Sequence, residues 1–196
     1  MKQIEINSVV KKTVSFLGPR PKFLYGYNEK PYGVLVEYIK EQVESLYNLG
    51  YTRFITDGSQ GFGQCVFWAI ESLKRNGLPI ENIVYVPHLG QERAWHKVGT
   101  FSKAEYYLML NVADEVKVFA NYEPKKNISH IVYKNNEAMI NDSNLFVVLY
   151  SDDSWKQYRQ GMINSAVKHA KLRGVPTSVI NYVNDKPFAN LKTKSI

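Results

Sequence analysis

The residues best suited to chemistry lie in FITDGSQGFGQ, residues 54–64, where a short apolar run enters a turn carrying Gly58, Gly61 and Gly63. A helical pattern follows, so the order is strand, glycine turn, helix. Glycines let the backbone turn tightly and approach a ligand closely, and the first N–H groups of a helix have no partner inside it. Together they make a receptor for an anion such as a phosphate. Asp57, Ser59 and Phe62 complete the candidate contacts of this turn. The spacing is not the G-x-G-x-x-G dinucleotide fingerprint, because the glycines stand at 58, 61 and 63. The competing reading is a glycine-rich strand-to-helix turn that binds nothing.

Three further segments carry ligand-competent groups. In Gly18-Pro19-Arg20-Pro21 the glycine can turn sharply, two prolines stiffen the exit, and Arg20 offers a planar fork to a phosphate or carboxylate. PHLGQERAW places Gln91, Glu92, Arg93 and Trp95 close together. An apolar run ending at Tyr150 leads through Ser151, Asp152, Asp153 and Ser154 to Tyr158 and Arg159, then to Gly161, Asn164 and Ser165 at a helix start. Asp152 and Asp153 are adjacent and point apart on an extended chain, so they suit a ribose hydroxyl, or simply the end of a strand, better than paired acid and base work. Tyr25, Tyr27 and Tyr32 could stack on a base or serve the fold. For catalysis proper, Asp57 and Glu92 are the weak candidates, and no complete catalytic motif is visible. His88 and His96 with Glu92 fit no zinc spacing, so neither metal nor cofactor is expected. Cys65 reads as a small buried residue.

The elements that must position these groups alternate regularly. Strands are predicted at residues 13–17, 53–56, 82–87, 115–120, 145–150 and 177–182, and helices at 34–49, 64–75, 101–112, 128–140 and 161–172. Strands apolar along their whole length fit a sheet covered on both faces, and alternation with helices implies parallel pairing. The expected fold is therefore α/β: a single Rossmann-like, doubly wound, mainly parallel sheet with helices on both faces. One domain spans residues 1–196, with a core at 13–182 and a loosely held tail at 183–196. In such sheets ligands sit beyond the carboxyl ends of the strands, where the strand order reverses.

Composition narrows the class. The chain has 196 residues, of which 44% are hydrophobic, enough for one substantial core without a linker. Its formal net charge of +7 favours anionic company. The lysines and arginines occur in ones and twos from Lys11 to Lys194, so nucleic acid is a permitted partner and not a favoured one. A single cysteine excludes an internal disulfide, and there is neither a membrane-length apolar run nor a secretory apolar segment. A soluble, cytoplasmic protein with no membrane partner is the expectation.

These segments, in this order, resemble a known group. GPRP, DGSQGFGQ with Trp68 and Ala69 in its helix, PHLGQERAW, FSKAEYYLML and GMINSAVKHA are together similar to the YpsA-like branch of the SLOG superfamily, which groups DprA-type DNA-processing proteins with the LOG phosphoribohydrolases. The resemblance implies a Rossmann-like fold, a pocket for a nucleotide or a nucleotide-derived ligand resembling ADP-ribose, a homodimer, and an origin in bacteria or their mobile elements. It assigns Gly18, Arg20 and Pro21 to a first ligand loop, Gly58 and Gly61 to a second, Gln91 and Trp95 to a third, and Gly161, Asn164 and Ser165 to a last. Two positions depart from its pattern: relatives have a small residue at Asp57 and an acid at Gly63. The P-G-G-x-G-T-x-x-E signature of the phosphoribohydrolases is missing.

Three functions follow in order of support. The first is a binding module or sensor, with phosphate on the amides of 58–63 and Gly161, Arg20 neutralising it, Asp57 or Asp152 on ribose, and Trp95 or Tyr150 against the base. The second is a hydrolase cleaving an N-glycosidic or phosphate bond. The third is a DprA-like binder of single-stranded nucleic acid.

Overall fold

A computed structural model describes residues 11–97, 99–121, 128–151, 161–182 and 193–195. Six strands run parallel: β1 (Lys12–Leu17), β2 (Tyr51–Thr56), β3 (Glu81–Val86), β4 (Glu115–Val118), β5 (Leu145–Ser151) and β6 (Thr177–Tyr182). A short β7 (Thr193–Ser195) adds an antiparallel edge beside β6. The sheet order is β4-β3-β2-β1-β5-β6-β7, so the chain steps outward from β1 to β4 and then returns to the other side of β1. The doubly wound, Rossmann-like reading is correct.

Alternation along the central strands assigns the faces. Val14 and Phe16 of β1 and Val147 and Leu149 of β5 join one cluster with Leu35, Ile39 and Val43 of α1 (Glu29–Asn48) and Val66 and Ile70 of α2 (Phe62–Arg75). Leu17, Phe146 and Val148 join another with Ile140 of α4 (Ile128–Asn141) and Ala166 and Ala170 of α5 (Met162–Arg173). Each of these side chains is at most 5% exposed, and full burial of such a residue is worth about 1.5–3 kcal/mol. On the first face, α3 (Lys103–Val112) sets Tyr106 and Met109 against Val84 and Val86 of β3.

Element boundaries moved where local chemistry outweighs periodicity. Helix α1 starts at Glu29 rather than near Val34, taking Pro31 into its first turn, where a missing N–H leaves no bond unmade. That shortens the Tyr-rich loop, which also holds a single 3-10 turn at Pro21–Phe23. Helix α3 starts at Lys103 rather than Phe101, because Ser102 caps it by accepting from the Glu105 amide at 3.2 Å. The Glu105 carboxylate in turn accepts from the Phe101 amide at 2.6 Å, and Phe101 adopts φ 60°. Among the described residues no helix is long and apolar enough to cross a membrane.

Candidate functional site

Because the strand order reverses between β1 and β5, connections leave these neighbours toward opposite sides, and a crevice opens at their carboxyl ends. A cavity of about 210 Å³ lies there. Leu17, Gly18, Arg20 and Phe23 reach it from the end of β1 and its exit loop, and Asp57 and Ser59 from the loop after β2. Its remaining walls are Val132 and Asn136 of α4, with Met162 and Ile163 in the first turn of α5. Pockets that bury a whole drug-sized ligand run to roughly 300–1,000 Å³. This one therefore encloses a single moiety of a nucleotide.

The two loops that close the cavity are joined to each other. Gly61 stands at φ 84°, ψ −123°, a conformation open to glycine almost alone. A Cβ there would sit 2.9 Å from the Pro19 carbonyl oxygen and 3.0 Å from the Pro21 nitrogen. The Phe62 amide donates to that same Pro19 carbonyl at 3.2 Å, and Gly18 packs against the Phe62 ring. Pro21 itself is buried and opens the 3-10 turn.

Several amides of the glycine turn are engaged within the protein. Gly58 N–H donates to Thr56 Oγ1 at 3.4 Å, Ser59 N–H to Asp57 Oδ1 at 3.0 Å, and Gln64 N–H to the Ser59 carbonyl at 3.0 Å. With Phe62 committed to Pro19, the glycine content overstates the donors that residues 58–63 can offer a phosphate. The turn is built first to hold Asp57 and to grip the β1 exit.

Asp57 is the titratable group this arrangement tunes. Burial pushes its carboxyl above the ordinary carboxylate range, against hydrogen bonds from the Ser59 amide and hydroxyl and the attraction of Arg20. Its carboxylate occupies the space a side chain at position 63 would need, since a Cβ on Gly63 would overlap Asp57 Oδ1. The two departures at 57 and 63 are thus one feature. Arg20 is exposed and makes no ion pair among the described residues.

Other sequence candidates sit elsewhere. Gln91 donates to the Tyr106 hydroxyl at 2.9 Å and to the Asp57 carbonyl at 3.5 Å, so it braces the Asp57 backbone from behind. Trp95 meets the Tyr106 ring edge-on at 5.1 Å, and buried Glu92 accepts from the Tyr107 hydroxyl at 2.8 Å. None of these three lines the cavity. Gly161 caps α5 in an extended conformation, with its carbonyl accepting from the Ser165 amide at 3.2 Å; the Ser165 hydroxyl donates to Tyr133 at 3.3 Å. Asn164 and Ser165 are half-buried on α5, while Met162 and Ile163 reach the cavity in their place. Tyr150 belongs to β5 through its backbone; Asp152, Asp153, Ser154, Tyr158 and Arg159 lie outside the described residues. Burial pushes the Cys65 thiol up, which removes it as a nucleophile near neutral pH.

Sequence reading missed Asn136. It is 3% exposed, lines the cavity, and its Oδ1 has no hydrogen-bond partner among the described residues. Leaving such a group unsatisfied costs about 1–3 kcal/mol. The available signal was the pair Asn135-Asn136 inside a helix whose neighbours Val132, Met139 and Ile140 are buried.

A comparison with curated proteins finds no match. The family model YpsA, described as the YspA SLOG family, matches residues 15–184. That span takes in every residue that lines the cavity, the second half of β1 and all of β2 to β6. With most of its length matched, the chain belongs to the YspA SLOG family.

Proposed function

We propose that the protein binds a nucleotide or a nucleotide-derived ligand at the carboxyl-end cavity, as a binding module or sensor. The observation that carries this reading is the convergence, at the reversal of strand order, of an arginine with no ion pair among the described residues, a carboxyl above its usual pKa and the first turn of a 12-residue helix. Arg20 supplies a fork for phosphate oxygens. The amino end of α5 adds the positive end of its dipole. Asp57 accepts from a sugar hydroxyl. Family membership supports a nucleotide-related ligand.

Native mass spectrometry of the protein as purified tests the reading, because a retained nucleotide declares its own mass. Titration with ADP-ribose or AMP should raise the melting temperature of the wild type and leave that of Arg20→Ala unmoved. If neither ligand shifts the wild type and none is retained, the proposal fails.

A second reading, cleavage of an N-glycosidic bond, is favoured by one observation. Asp57 stays protonated to higher pH than an ordinary carboxylic acid, so it could donate to a leaving base. Release of free base from the bound nucleotide, followed by mass spectrometry, separates cleavage from capture.

A further inference from the structure

Of the buried amides in this protein, several have one end engaged. Asn135 donates to the Tyr85 carbonyl at 3.1 Å, Asn82 to the Phe67 carbonyl at 3.0 Å, and Gln64 to the Gly58 carbonyl at 3.5 Å. Each of these ties a helix or turn to its neighbours and has a structural purpose. Asn136 differs: its side chain makes no hydrogen bond from either end among the described residues, and it alone of the four lines the cavity. An amide carries two donors and an acceptor with two lone pairs. With its Oδ1 buried and no side-chain bond among the described residues, beside an open space, it is suited to a ligand with a donor and an acceptor on one edge.

The surroundings say what shape that ligand has. Val132, Met162, Ile163 and Phe23 give the cavity apolar walls around Asn136, while Arg20 and Asp57 bring its charge. A flat, apolar-faced group with a polar edge fits the first set, and a sugar phosphate fits the second. A nucleobase enclosed against the first set, with its ribose phosphate leading out past the second, has both parts in that order. Pairing by an asparagine with the N6 amino group and a ring nitrogen of adenine is a matched two-bond contact.

We infer that Asn136 is a specificity-determining residue that reads the amino-bearing edge of an adenine base held between the apolar walls of the cavity. The inference rests on the ligand-binding reading above and extends it from nucleotides in general to adenine nucleotides. Asn136 touches ligand and takes no part in bond-breaking.

The test measures affinity by calorimetry for three probes: AMP, purine riboside 5′-monophosphate, which lacks the 6-amino group, and ribose 5-phosphate, which lacks the base. The wild type should bind AMP about 10-fold or more tighter than the 6-unsubstituted purine nucleotide. In Asn136→Leu that preference should vanish, with AMP weakened about 10- to 100-fold and ribose 5-phosphate unchanged. Melting temperature without ligand distinguishes a structural role: Asn136→Leu should hold or raise it, since an apolar side chain replaces an unmatched amide among apolar walls. Asn136→Gln, which keeps the amide and displaces it, should retain part of the preference. Equal affinity of wild type for AMP and the 6-unsubstituted nucleotide overturns the inference while leaving nucleotide binding intact. So does an Asn136→Leu variant that keeps the preference, or one that melts well below wild type and weakens all three probes alike. Failure of the wild type to bind any probe overturns the nucleotide reading and this inference with it.

Discussion

The two rims of the sheet treat charge in opposite ways. At the amino ends of the strands, Arg53 donates to Glu81 at 2.9 Å and to Glu115 at 3.0 Å, and Lys11 also pairs with Glu81. The Lys11 hydrogen bond leads the effects that hold the Glu81 carboxyl below the usual range. Asp114 accepts from the Asn82 amide and from Lys74, both at 2.6 Å, and Asn144 exchanges two 2.8 Å bonds with the Thr13 backbone. At the carboxyl ends, among the described residues, Arg20 has no ion pair and Asn136 Oδ1 no hydrogen-bond partner, and Asp57 carries a carboxyl made harder to ionise by burial. The amino-end rim pairs its charged groups internally, though Asn82 Oδ1 there has no partner among the described residues, and the carboxyl-end rim withholds its charges. A protein selected for stability alone would pair the charges of both, so the withheld groups are the ones the proposed ligand would complete.

The largest test of this contrast is Gly61→Val. A β-branched residue at φ 84° is strained by about 1–3 kcal/mol, and the clash with the Pro19 and Pro21 backbone adds to it. A loss of about 3 kcal/mol or more is expected, which for a chain of this size lowers the melting temperature by roughly 6–12 °C. An unchanged melting curve would mean the two loops are not joined as described.

Next comes Arg20→Ala, which should cost binding without costing stability. A hydrogen bond to a charged group is worth about 1.5–3 kcal/mol, so affinity for a phosphate-bearing ligand should drop about 10- to 150-fold while the melting temperature of the unliganded protein stays within about 2 °C.

Asp57→Asn should do the reverse to stability. Because the folded-state pKa of Asp57 is raised, its contribution is fully present below the unfolded pKa and is lost as pH rises through the folded value. The asparagine variant escapes that loss, and its Oδ1 can still accept from the Ser59 amide. Its melting temperature should therefore exceed wild type at pH 7, and the gap should close as the pH is lowered toward 4. A gap that widens on acidification would reverse the sign assigned to this group.

Arg53→Met, on the amino-end rim, should have the smallest effect. Partly exposed ion pairs contribute about 0–1 kcal/mol and are screened by salt. A minor loss of stability, shrinking further in 0.5 M salt, with unchanged ligand affinity, is the expected result. A large change in affinity would dissolve the distinction between the rims.

Sequence pattern carried the architecture well because it is written in local signals. Apolar runs such as that from Leu145, glycine and proline stops, and helical periodicity gave the strands and helices that the structure contains. The three-residue β7 has no such signal, since its place depends on β6 offering an open edge. The site was legible where the loops directly after β1 and β2 supply it: Gly18, Arg20, Asp57 and Ser59 all line the cavity. It was illegible where helices fold back onto it from far along the chain. Asn136, Val132 and Met162 become neighbours of Arg20 only through the return of the chain across β1, which no spacing encodes. Gln91 and Trp95 looked like ligand groups for their residue types, yet tertiary packing draws both to Tyr106.

The overlap between Asp57 and any side chain at position 63 makes the two sites genetically dependent. Room exists for one acid, reached from either end of the turn. Gly63→Asp alone should be damaging, Asp57→Ala alone should empty the space, and the double replacement should recover much of the loss, giving strongly non-additive energies. A lineage could move its acid along this turn only by trimming position 57 before enlarging position 63.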